Sequence, residues 1–163
     1  MIYLAHGASG DARSMRPYVK ALEARGLAAT AVDLPRSKAE RAVPVFAHKV
    51  PPGSVAGGHS YGGRVASMVA VDVRYAGLVL LSYPLHRPGH PDELRIEHWP
   101  RIACPVLLLS GESDPFARID LLRSSIRQLR RAELVSFPGV GHGLLPVVDQ
   151  AMDRVAEFVR GLR

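Results

Sequence analysis

Short runs of almost uninterrupted apolar residues recur along this chain, and between them apolar positions fall three and four residues apart. "MIYLA" runs into glycine-rich residues and predicts a buried strand with its exit loop. In "SMRPYVKALEARG", Met15, Tyr18 (or Val19) and Leu22 repeat at helical spacing, and Gly26 is placed to stop the helix. "LAATAVDLP" predicts a second strand ended by Pro35, and "KAERAVPVFAHK" only a weak, short helix, because Pro44 interrupts it. "GSVAGGHS" reads as a third strand and "YGGRVASMVAVD" as the helix after it, with Val65 and Val69 one turn apart. "AGLVLLSYP" is apolar throughout, the mark of a central strand covered on both faces. The proline- and histidine-rich "LHRPGHPDELRIEHWPRIA" reads as a long loop with at most a turn of helix. "CPVLLLSGESDP" is another buried strand with a polar exit, and "RIDLLRSSIRQLRR" puts Ile119, Leu122, Ile126 and Leu129 on one helical face. "AELVSFPGVGHG" is the last strand and its loop. The closing segment is an amphipathic helix through Val148, Met152, Val155 and Val159.

Strands alternating with helices, the strands apolar on both faces, predict an α/β fold. The expected form is a three-layer sandwich: a mostly parallel sheet of about six strands with helices on both faces. No repeat, low-complexity tract or break in composition divides the 163 residues, so residues 1–163 are expected to form one domain. Cys104 is the single cysteine, which rules out an internal disulfide and fits a reducing compartment. The first residues lack the basic n-region of a signal peptide, and no apolar run is long enough for a membrane span. A cytoplasmic location is the expectation. The formal charge of +6 is spread over arginines from Arg13 to Arg163. Their densest stretch, Arg123 to Arg131, reads as the wet side of a helix, so a solvated surface is expected and no nucleic-acid partner.

In such sheets ligands bind beyond the carboxyl ends of the strands. There the chain places His6 to Gly10, Ser60, Glu112 to Asp114, and His142. Gly58-His59-Ser60-Tyr61-Gly62 fits G-x-S-x-G, in which a strand turns sharply into a helix and pushes a serine hydroxyl out of the fold. Glycine at either flank removes the clash that such a turn creates. The alternatives are a structural turn or a phosphate loop, but no G-K-[ST] follows. A serine nucleophile needs a base, and the base an orienting acid. His142, between glycines after the last strand, is the candidate base. His59 adjoins the serine, but neighbouring side chains on a sharp turn point apart; His86, His90 and His98 read as loop or pocket-rim residues without metal spacing. For the acid, "SGESDPF" offers Asp114, stiffened by Pro115, with Glu112 as second choice; Asp92 is the other position. Helix capping is the structural alternative for these acids. The oxyanion donors expected are the N–H of Tyr61 and one from "AHGASG", Ala8 ahead of Ser9.

Taken together, "LAHGASG", "GGHSYGGRVAS", "LSYPLHRPGHPDELRIEHW", "LLLSGESDPF" and "PGVGHGL" resemble, in order and spacing, the α/β-hydrolase superfamily. The chain looks most like its small dienelactone-hydrolase-like bacterial members, a group related to a testis-expressed protein and to a domain of a chromatin acetyltransferase subunit. The resemblance implies Ser60 as nucleophile, Asp114 as acid and His142 as base, acting without a cofactor or metal on a small or medium ester or thioester. His6, Leu85, Trp99, Phe116 and Leu144, with Leu145, are expected around the substrate, and Leu85 to Pro100 is the candidate lid. Dienelactone hydrolases proper use a cysteine nucleophile, so their substrate is not implied. The chain starts at the strand before the "HG" loop, which predicts a minimal sheet and an open site. The chromatin-associated relative keeps a second reading alive: a non-catalytic interaction module on a hydrolase scaffold.

Overall fold

A computed structural model describes residues 1–162. Its apolar runs form β1 (Ile2–Ala5), β2 (Ala29–Val32), β3 (Val55–His59), β4 (Gly77–Leu81), β5 (Val106–Gly111) and β6 (Ala132–Phe137). These make a six-stranded sheet in the order β2-β1-β3-β4-β5-β6, every neighbouring pair parallel. Side chains alternate across it with period two. Leu78 and Leu80 of β4 and Val106 and Leu108 of β5 point to one face; Val79, Leu81, Leu107 and Leu109 point to the other.

Each face is closed by helices, as the sequence led us to expect. α1 (Arg16–Glu23) and α5 (Val148–Arg160) cover one side through Tyr18, Leu22, Met152 and Val155. α2 (Ala39–Lys49), α3 (Tyr61–Val69) and α4 (Ile119–Ser125) cover the other through Phe46, Val65, Val69 and Leu122. Every residue of β4 is buried, and each such leucine removed from water contributes about 1.5–3 kcal/mol.

Two helices depart from the sequence reading. α2 is not weak: it runs eleven residues straight through Pro44. Pro44 and Glu40, whose carbonyl loses its helical donor, are both exposed, so the missing bond falls on the solvent side. Ala42 and Phe46, on the opposite side, are fully buried and hold the helix in place. α4 is shorter than the apolar spacing suggested. It ends at Ser125, tightens into a 3-10 turn over Ile126–Gln128, and reaches Leu129 in extended backbone. The segment between β4 and β5 is the expected loop with a single 3-10 turn, Trp99–Arg101.

The register decides what meets at the carboxyl end of the sheet. Ala5 pairs with Gly58, and His59 with Leu81, so the loop after β1 lies beside the turn after β3. Gly111 pairs with Phe137, which brings the loop after β5 against the loop after β6. Among the described residues, no helix is long and apolar enough to cross a membrane.

Candidate active site

The turn from β3 into α3 carries Ser60 at φ 50° and ψ −118°, a conformation that L-residues rarely adopt. Its backbone N–H donates to the Leu81 carbonyl at 2.8 Å, and its carbonyl accepts from Arg64 N–H at 3.0 Å, so both sides of the turn are tied down. The flanking glycines are sterically required. A Cβ on Gly58 would lie 2.5 Å from the Ala5 carbonyl oxygen and 2.7 Å from the Gly62 carbonyl carbon; one on Gly62 would lie 2.5 Å from the same Ala5 oxygen. β1 and α3 pack too closely here for any side chain.

The Ser60 hydroxyl is 2.7 Å from His142 Nε2, and His142 Nδ1 is 2.7 Å from Asp114 Oδ2. A carboxylate only accepts, so Nδ1–H donates to Asp114 and Nε2 is left to accept from the Ser60 hydroxyl. Asp114 is 4% exposed, and its other oxygen accepts from Phe116 N–H at 2.8 Å. The ring of Phe116 stacks on His142 at a centroid distance of 4.4 Å. Glu112 takes no part: it accepts from Ser136 Oγ at 2.8 Å and pairs with Arg123 at 3.1 Å. Asp92 is exposed in the loop after β4. The structure therefore brings Ser60, His142 and Asp114 together and leaves both alternative acids apart.

Ser60 and His142 open into a cavity of about 680 Å³. Ala8, Ser9, Tyr61, Phe116 and Leu145 line it, with Met15 and Tyr18 as further apolar wall. Tyr61 N–H begins α3 and has no acceptor within the helix. Four of the expected substrate contacts are corrected. Leu85, Trp99 and Leu144 have no exposed surface: the first two pack into the core between the sheet and α2 to α4, Leu144 into the core under α1 and α5. His6 is also buried; its Nε2 accepts from Leu34 N–H at 2.9 Å and its Nδ1–H donates to the Gly7 carbonyl at 2.7 Å, joining the exits of β1 and β2. Of the candidate lid only Arg95 reaches the cavity; Pro84, just before it, does so too. His86 is a buried tie as well, accepting from Arg118 N–H at 3.1 Å. His98 lies on Ser67 Oγ at 2.8 Å, away from Ser60, and burial pushes its imidazole down to about 4.

His59 is the residue that sequence reasoning passed over. Its side chain runs to the loop after β6, where its ring lies 5.3 Å from that of His142. There its Nε2–H donates to the His142 carbonyl at 3.0 Å while its ring stacks against Tyr18. Burial lowers its pKa, which favours the neutral ring. It ties the backbone of His142 to the turn after β3. Its place in "GGHSYGG" gave no sign of this, because the bond spans 83 residues.

A second, larger cavity of about 810 Å³ lies at the opposite end of the sheet, around Asp72, Arg74, Cys104 and Arg131. It holds no serine–histidine pair, and burial raises the Cys104 thiol, away from the reactive thiolate. The described residues contain no group of three or more His, Cys, Asp or Glu placed to hold a metal ion.

Residues 31–157 match the model of a protein family described as "Alpha/beta hydrolase domain". Among solved structures, a monoacylglycerol lipase from Paleococcus ferrophilus superposes with a TM-score of 0.81 at 16% identity, covering 97% of this chain and 93% of that one. An esterase from Pyrococcus furiosus gives 0.80 at 16% identity over 99% and 80%. A metagenome-derived lipolytic enzyme gives 0.76 at 16% over 98% and 92%. At these identities the likeness shows the shared fold.

Proposed function

The chain belongs to the alpha/beta hydrolase family, and on that premise we propose that it is a cofactor-independent serine hydrolase of small or medium carboxylic esters or thioesters. The observation that carries this reading is the run of two short hydrogen bonds, Ser60 to His142 to Asp114, at the mouth of an apolar-walled cavity.

His142 Nε2 takes the Ser60 proton as Oγ attacks the acyl carbon. The oxygen of the tetrahedral intermediate gains negative charge and is held by the N–H groups of Tyr61 and Ala8, helped by the N-terminus of α3. Collapse breaks the bond to the alcohol or thiol, which leaves with the proton from His142. Water then gives a proton to His142 and attacks the acyl-enzyme. The carboxylic acid departs, and Ser60 regains its hydrogen. Asp114 holds the imidazole in the tautomer that can accept from serine.

Met15, Tyr18, Phe116 and Leu145 offer the acyl chain an apolar wall, while most of the loop after β4 stays clear of the cavity. That favours short and medium chains over long lipids. Residues 1–163 then act as one hydrolase domain, of the small dienelactone-hydrolase-like kind, and a cytoplasmic location completes the proposal.

A series of p-nitrophenyl esters of graded acyl length tests it. Wild type is expected to hydrolyse the shorter members, and Ser60→Ala to lose kcat by a factor on the order of 10⁴ or more. Equal rates for the two proteins would refute the assignment.

A further inference from the structure

The charges lining the active-site cavity are all of one sign. Lys38, Arg64 and Arg95 line it, and no aspartate or glutamate does. Arg64 lies in the first turn of α3, four residues after Ser60, and lines the same cavity. Arg95 comes from the loop after β4, whose backbone is pinned there by the Tyr83 hydroxyl donating to the Arg95 carbonyl at 2.6 Å.

Neither guanidinium is hydrogen-bonded to a carboxylate. Among the described residues Arg95 forms no ion pair. Arg64 has only Glu40, at 3.8 Å, beyond hydrogen-bonding distance, and its Nε is buried without a partner. Arg95 is partly buried, and desolvation, followed by the field of Arg64, pulls its pKa below the ordinary arginine value. A guanidinium carries five donors and no acceptor, and holding two of them near each other, partly desolvated, is unfavourable until an anion arrives. A solvated surface patch does not need this arrangement. The two arginines also form the wall shared with a neighbouring cavity of about 500 Å³, which Glu40, Asp72, Glu97 and Arg101 line as well. On the Ser60 side of that wall no aspartate or glutamate lines the cavity.

We propose that Arg64 and Arg95 form an anion subsite, and that the substrate is an ester or thioester carrying a carboxylate or phosphate group a few bonds from the reacting carbonyl. This rests on the serine-hydrolase reading. Lys38, at the entrance of α2, adds long-range attraction for the same group.

The test compares kcat/KM for the p-nitrophenyl hemiester of glutaric acid, its phosphono analogue of equal length, and neutral p-nitrophenyl pentanoate. Wild type is expected to prefer the charged esters by about ten- to a hundredfold, the range of one charge-assisted hydrogen bond. The two charged esters tell a carboxylate site from a phosphate site. Arg95→Gln should erase most of the preference, Arg95→Lys should keep part of it, and added salt should shrink it. Arg64→Gln serves if Arg95→Gln does not fold. A preference of one or less, with Ser60-dependent turnover of pentanoate intact, overturns the subsite and leaves the hydrolase standing. If no ester is turned over, calorimetric titration of wild type and Arg95→Gln with monoethyl glutarate decides. Binding that needs Arg95 supports the subsite alone, and absent or Arg95-independent binding overturns it.

Discussion

Ser60 is held in a backbone conformation that costs about 1–3 kcal/mol for a residue with a side chain. The fold tolerates that cost where the hydroxyl must stand clear of β3 and meet His142. Ser60→Gly should therefore unfold at higher urea than Ser60→Ala, by about 1 kcal/mol or more, although both lack the hydroxyl. Equal midpoints would mean that the turn carries no strain. Residue types at this scale were legible wherever the chemistry restricts them. A serine between glycines, a late histidine between glycines and an aspartate before proline each stood out from the sequence alone. His6, Leu85, Trp99 and Leu144 were misread as substrate contacts because closeness to a strand exit in sequence says nothing about which layer a side chain enters. All four are buried.

At the scale of elements, apolar runs and helical spacing located the six strands and the helices, but element strength was harder to read. Pro44 argued against α2 because the periodic pattern does not reveal that its proline faces water and that Phe46 is packed on the other side. The contacts joining elements were also hidden. His98, before the 3-10 turn, meets Ser67 of α3 at 2.8 Å, and burial moves its pKa from 6.5 to about 4. The unfolded chain then binds more protons than the folded one between those values, so stability rises with pH across the window and is lost as pH falls through it. His98 should account for part of that loss, reduced by the solvent that still reaches its ring. Urea titrations at several pH values, on wild type and His98→Gln, should show a shallower pH slope for the variant between about pH 4 and 6.5. Identical slopes would remove His98 from this account.

The whole molecule is a parallel sheet whose carboxyl end collects three side chains from loops after β3, β5 and β6. Strand alternation made the sheet legible, but not its order, and it is the order that sets β1 beside β3 and β5 beside β6. The formal charge of +6 looked like a diffuse surface property in the sequence. Folding concentrates part of it, since Lys38, Arg64 and Arg95 converge on one cavity from α2, α3 and the loop after β4. Cations that lie far apart along the chain reveal no site until the layers stack. The central claim remains that the base activates this serine above the others. Treating the folded protein with a fluorophosphonate and mapping the adduct by peptide mass spectrometry tests that claim most directly. The account predicts one adduct, on Ser60, and a labelling rate that collapses in His142→Ala. Folded protein that takes no label, or that labels as fast without the imidazole, would contradict it.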